Sequence, residues 1–137
     1  MACSVGIYVF DEIEVLDFAG PYEVFTTATR VNRKIDLAAH EARLTASVCT
    51  GAFLLAQAGL LNGKSATTHW EDLDDLQSKF PAVRVVGKQR WVDAGSILTS
   101  AGISTGIDLS LHLVARLASL ELAAQTARQM EFDWRAI

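Results

Sequence analysis

The stretch "LTASVCTGAFLLAQAGLLNGKSATTHW", residues 44–70, decides how the rest of the chain is read. It opens on "LTASV", an apolar run that reads as a short buried strand. It continues through residues 51–61, "GAFLLAQAGLL", as a helix whose apolar residues cover more than one side, packed centrally and stopped by Gly63. Cys49 stands at the corner between the two. A nucleophile at such a corner is exposed by the sharp turn, surrounded by free amides and favoured as an anion by the helix dipole. There Thr50 and Gly51 would offer first-turn N–H groups to a developing negative charge, and Gly51 would admit a close backbone approach. The helix N-terminus would draw the thiol pKa down toward neutrality. The competing reading is a small buried hydrophobe, the usual place of an unpaired cysteine. The corner position favours chemistry.

Strand and helix signals alternate outward from that corner. "SVGIYVF", residues 4–10, reads as a strand, and after the acidic "DEIEVLD" the segment "GPYEVFTTATR" reads as a helix with Pro21 in its first turn. "IDLAAHEARL", residues 35–44, has helical spacing. Beyond the corner, "SATTHW" gives a short strand and "EDLDDLQSKF" an amphipathic helix ended by Pro81. "VRVVG", "RWVDAG" and "SILTSAG" are strands between turn residues, and "ISTGIDLSLHLVARLA" and "LELAAQTARQMEFDW" close the chain as helices. The alternation predicts an α/β sandwich with a mostly parallel sheet, one domain over residues 1–137.

Composition narrows the function. Half of the 137 residues are hydrophobic and a fifth are charged, which suits one domain with a proper core. A net charge of −4 with scattered basic residues argues against nucleic acids and anionic membranes as partners. The start has no basic region ahead of its apolar run and no window is long enough to cross a bilayer, so a cytoplasmic location is expected. Cys3 and Cys49 cannot build a disulfide framework, and both are read as thiols in a reducing compartment. His40 reads as solvated, His112 as a core residue within an apolar helix, and His69 beside Trp70 as structural before catalytic. Three scattered histidines make no metal site, and neither metal nor cofactor is expected.

The string "SVCTGAFLLAQAGLLNGKSATTHW", with "LDFAGPYEVF" before it and "LTSAGISTGIDLSLHLVARL" and "ARQMEFDW" after it, resembles the ThiJ/PfpI superfamily. The pattern is most similar to isonitrile hydratases and to the cysteine domain of AraC-type regulators. The resemblance implies a flavodoxin-like three-layer sandwich, a reactive cysteine on the elbow and a carboxylate beside it from the first strand–helix connection. By motif these are Cys49 and Asp17. Asp17 has a second reading, as cap of a helix beginning near Gly20. By analogy Thr50 would orient water or hydrogen-bond the sulfur, and Gly51, Gly20 and the Thr50 amide would form the anion pocket.

Two departures restrict the chemistry. The peptidases of the superfamily carry histidine directly after the cysteine, where this chain has Thr50, so peptidase activity is disfavoured. Between Asp17 and Cys49 the resemblance also implies two further strands and a Pro-Gly-Gly loop, which the sequence lacks; a middle segment near residues 31–35 is therefore expected to be missing. The expected activity is that of a cysteine-dependent hydratase or lyase converting an isocyanide to an N-substituted formamide, with Asp17 as the acid. The alternatives are glutathione-independent glyoxalase chemistry on an aldehyde, or a non-catalytic small-molecule sensing domain. AraC-type regulators place a helix-turn-helix module after this domain; with the chain ending at Ile137, no direct DNA contact is expected. A homodimer is expected.

Overall fold

A computed structural model describes residues 4–31 and 44–136. The helix expected from Ile35, the shortened interval after Val31, His40 and Cys3 lie outside the described residues. The chain divides into two compact units, Met1–Glu41 with Ser110–Ile137, and Ala42–Leu109.

In the first unit, α1 spans Val15–Val31 and α5 spans Leu120–Gln129. Among the described residues of α1, Gly20, Pro21, Val24, Thr27 and Ala28 are buried, recurring every three to four residues as one stripe. That stripe packs against α5, whose Leu122, Ala123, Thr126 and Ala127 repeat the same spacing. Ser119 caps α5, its hydroxyl accepting the Leu122 N–H at 3.1 Å. Two expectations change here. Pro21 does not sit in the first turn of its helix: α1 starts at Val15 and carries Pro21 inside, with Asp17 in the first turn rather than at the cap. Residues 4–10 form no strand. A strand exists only where a neighbouring strand accepts from its N–H groups and donates to its C=O groups, and none of the described ladders includes residues 4–10.

The second unit holds the strands. β1 (Thr45–Ser47), β5 (Ile97–Ser100) and β4 (Trp91–Asp93) form a three-stranded sheet in that order. β1 and β5 are parallel, with Ala46 opposite Leu98, and β4 joins β5 antiparallel. β2 (Ser65–Ala66) and β3 (Arg84–Val85) form a separate parallel pair. Being bonded on both edges, β5 buries all four of its residues. The mixed, mainly parallel pairing with helical connections agrees with the α/β expectation.

α2 is shorter than its sequence suggests, Ala52–Gln57, preceded by a 3-10 turn at Cys49–Gly51. It ends at Gly59 (φ 75°) rather than at Gly63. The Gly59 N–H donates to Ala56 O at 2.9 Å and the Leu60 N–H to Leu55 O at 3.0 Å, the paired bonds that close a helix through a left-handed residue. Nor is α2 packed on every side: Ala52 and Ala56 are buried, whereas Leu54 is 45% exposed. The two alanines join Leu61, Ala66, Leu76, Val83 and Ile97 in the unit's core, with Phe53, Leu55, Phe80 and Val85 packed against it. Leu76 comes from α3 (Leu73–Lys79), which follows the 3-10 turn Trp70–Asp72. α4 spans Thr105–Leu117.

Candidate functional site at the Cys49 turn

The turn after β1 holds Cys49 at φ 54°, in the left-handed region that an L-residue other than glycine seldom adopts. Such conformations persist only where the surroundings over-determine them, and they concentrate at reactive centres. Neighbouring segments supply the constraint. The Cys49 N–H donates to Ala101 O at 3.2 Å, extending the β1–β5 ladder two residues past Ser47 and Thr99. The Thr68 hydroxyl donates to the Cys49 carbonyl at 2.9 Å from the segment following β2. Cys49 itself is 6% exposed, so the turn buries its side chain rather than exposing it as expected of a sharp corner.

Thr50 follows on the exposed side of the turn. The Gly51 N–H donates to Val48 O at 3.0 Å, which commits that amide to the turn rather than to a ligand. Gly51 is not shaped for a close backbone approach: its φ is −56°, and a Cβ there would meet only the Ser47 side chain, at 3.4 Å.

The loop after β5 is fixed from both ends. The Ala101 N–H donates to Arg90 O at 2.9 Å, while the Arg90 guanidinium pairs with Asp108, buried in the first turn of α4. Gly102 accepts from the Thr105 hydroxyl at 3.3 Å. His69 rests on this loop, and Asp72 Oδ2 lies 3.6 Å from its Nδ1. A Cβ on Gly102 would lie 2.1 Å from His69 Cδ2, so only glycine admits the imidazole where it stands. Gly102→Ala is accordingly expected to displace His69 and to cost about 1–3 kcal/mol as an overpacked contact. Urea denaturation measures this, and unchanged stability would contradict the close packing.

Of the residues singled out in the sequence, Cys49, Thr50 and Gly51 lie together in this turn. Asp17 and Gly20 belong to α1 in the first unit, Asp17 half-buried and Gly20 buried. Gly20 is the sixth residue of its helix, beyond the first-turn amides that a helix leaves unpaired. His112 is partly buried on α4 between Leu111 and Leu113. Thr68, Ala101 and Gly102 were not singled out. A glycine between the last strand and its helix was the available signal for Gly102; the threonine in "SATTHW" carries none. Among the described residues no cluster could hold a metal ion, and no helix is long and apolar enough to cross a membrane.

The sequence profile of the DJ-1/PfpI family matches residues 28–116, most of the chain and all of the Cys49 turn. The chain belongs to the DJ-1/PfpI family. Among curated members it is 29% identical to an isonitrile hydratase of Pseudomonas putida, over 96% of this chain and 79% of that one. That match runs to 184 positions, more than the chain's own 137 residues, so part of the hydratase's aligned length has no counterpart here. It is 42% identical to the transcriptional regulator CdhR of Pseudomonas aeruginosa over 58% of this chain, spanning only 24% of the regulator's length. Among solved structures, an AraC family transcriptional regulator from P. putida superposes with a TM-score of 0.74 at 16% identity, over 88% of this chain and 95% of that one. A ThiJ/PfpI family protein from Pseudomonas syringae does so at 0.61 and 31% identity, over 86% of this chain and 46% of that one. This DJ-1/PfpI likeness agrees with the flavodoxin-like expectation.

Proposed function

We propose that the chain is a cysteine-dependent hydratase of a small electrophile, converting an isocyanide and water to an N-substituted formamide. The observation that carries this reading is the left-handed conformation of Cys49 on the turn leaving a parallel strand, the placement of a nucleophile elbow. The isonitrile hydratase relative supplies the substrate class.

The Cys49 thiolate attacks the terminal isocyanide carbon and forms a C–S bond. That carbon takes up one proton, giving a thioimidate. Water then adds to the same carbon, one of its protons passing to the nitrogen and the other back to the spent proton donor, the C–S bond breaks, and the N-substituted formamide leaves with the thiolate restored. Asp17 enters as proton donor by the family motif, and Thr50 as the residue orienting water on the exposed side of the turn. Covalent catalysis of this kind replaces one difficult addition with two easier ones.

Formamide formation from an alkyl isocyanide, followed by proton NMR, tests the proposal. Sustained release of the formyl product supports it. Binding without product would instead favour a small-molecule sensing domain, the reading to which the regulator relatives lend weight.

A further inference from the structure

The Cys49 conformation needs an external hold, and the residues that provide it differ in kind. The bond from the Cys49 N–H to Ala101 O is backbone to backbone and belongs to the sheet. The bond at the Cys49 carbonyl comes from a side chain, the Thr68 hydroxyl at 2.9 Å. Thr68 is 1% exposed, and its β-branched side chain has few rotamers with which to turn the hydroxyl elsewhere. The segment that carries it is pinned one residue earlier, where the Thr67 N–H donates to Thr99 Oγ1 at 2.9 Å. β5 therefore fixes Thr67, Thr67 fixes the direction of Thr68, and Thr68 fixes the carbonyl of the strained residue.

We infer that Thr68 is a positioning residue for the Cys49 elbow: its hydroxyl holds Cys49 in the left-handed conformation that presents the thiol for attack. This rests on Cys49 being the nucleophile, but not on the identity of the substrate. Losing the hydroxyl leaves a buried carbonyl short of its donor and lets the turn relax toward an ordinary conformation. The sulfur then leaves the position in which the left-handed turn holds it.

The test is the pH profile of Cys49 alkylation by iodoacetamide, read by peptide mass so that Cys3 does not contribute. Thr68→Val, which keeps the shape and removes the donor, is expected to move the profile to higher pH and to slow alkylation at neutral pH about tenfold, the scale of one buried hydrogen bond. Thr68→Ser is expected to restore the wild-type profile. Thr99→Val removes the neighbouring bond to Thr67 and is expected to lower the thermal midpoint with a much smaller effect on the profile. An unshifted profile in Thr68→Val, a failure of serine to restore it, or an equal shift in Thr99→Val would overturn the inference. So would a valine variant that does not fold beside a serine variant that does, since Thr68 would then serve stability. Because the readout needs no turnover, a chain that never hydrates isocyanides would leave the inference standing on alkylation alone.

Discussion

Cys49→Gly is expected to abolish isocyanide hydration and leave the fold as stable as before. Holding a non-glycine residue at φ 54° costs roughly 1–2 kcal/mol, which glycine does not incur. Against that gain stand the lost burial of a small side chain, about 1 kcal/mol, and the greater freedom of glycine in the unfolded chain, roughly 0.5–1 kcal/mol. The terms nearly cancel, so the thermal midpoint should move little in either direction. Activity should fall by roughly a thousandfold or more, since a covalent nucleophile has no substitute in glycine. Circular dichroism and the formamide assay check the two halves. A large loss of stability with retained turnover would make Cys49 a packing residue.

Leu98→Ala should be the most damaging single truncation of the second unit. Leu98 is fully buried at the centre of β5, between Ala46 on one side and Asp93 on the other. Deleting a buried leucine to alanine costs about 2–5 kcal/mol, the transfer of the lost methylenes plus the cavity left behind. A domain of this kind has only about 5–15 kcal/mol in total, so the variant approaches the edge of folding. Urea denaturation should show a lowered midpoint with an unchanged slope. A loss below about 1 kcal/mol would mean that the sheet collapses around the vacancy.

The elements around Cys49 were legible because each has a local signal. "LTASV", "SILTSAG" and the two closing helices carry apolar spacing that survives in the fold as β1, β5, α4 and α5. What failed depends on partners or on choices between equal signals. "SVGIYVF" has the composition of a strand, but composition names no neighbour, and residues 4–10 belong to none of the described ladders, with Tyr8 78% exposed. Pro21 is a helix-start signal by its missing N–H, yet α1 begins six residues before it and carries the proline inside. Gly63, read as the stop of α2, does adopt positive φ, but Gly59 turns the chain four residues earlier, and which glycine takes that conformation first is set by the fold.

The candidate site divides in the same way. The position of Cys49 between strand and helix could be read directly, whereas its backbone conformation could not, because φ is set by what accepts and donates across the sheet. Thr68 is one of two adjacent threonines with equal β propensity; only the fold shows that one hydroxyl reaches the Cys49 carbonyl while its neighbour's amide is tied to Thr99. Gly51 shows the reverse error, a glycine read as making room where the structure needs none.

The proposed chemistry makes Cys49 the covalent nucleophile, which acid-quenched mass spectrometry of the chain within the first turnovers on an alkyl isocyanide can capture. The expected result is a mass gain of one isocyanide, mapped to the peptide containing Cys49, that decays as formamide appears and never forms in Cys49→Gly. Formamide made at the same rate by Cys49→Gly, or an adduct on Cys3 alone, would contradict it.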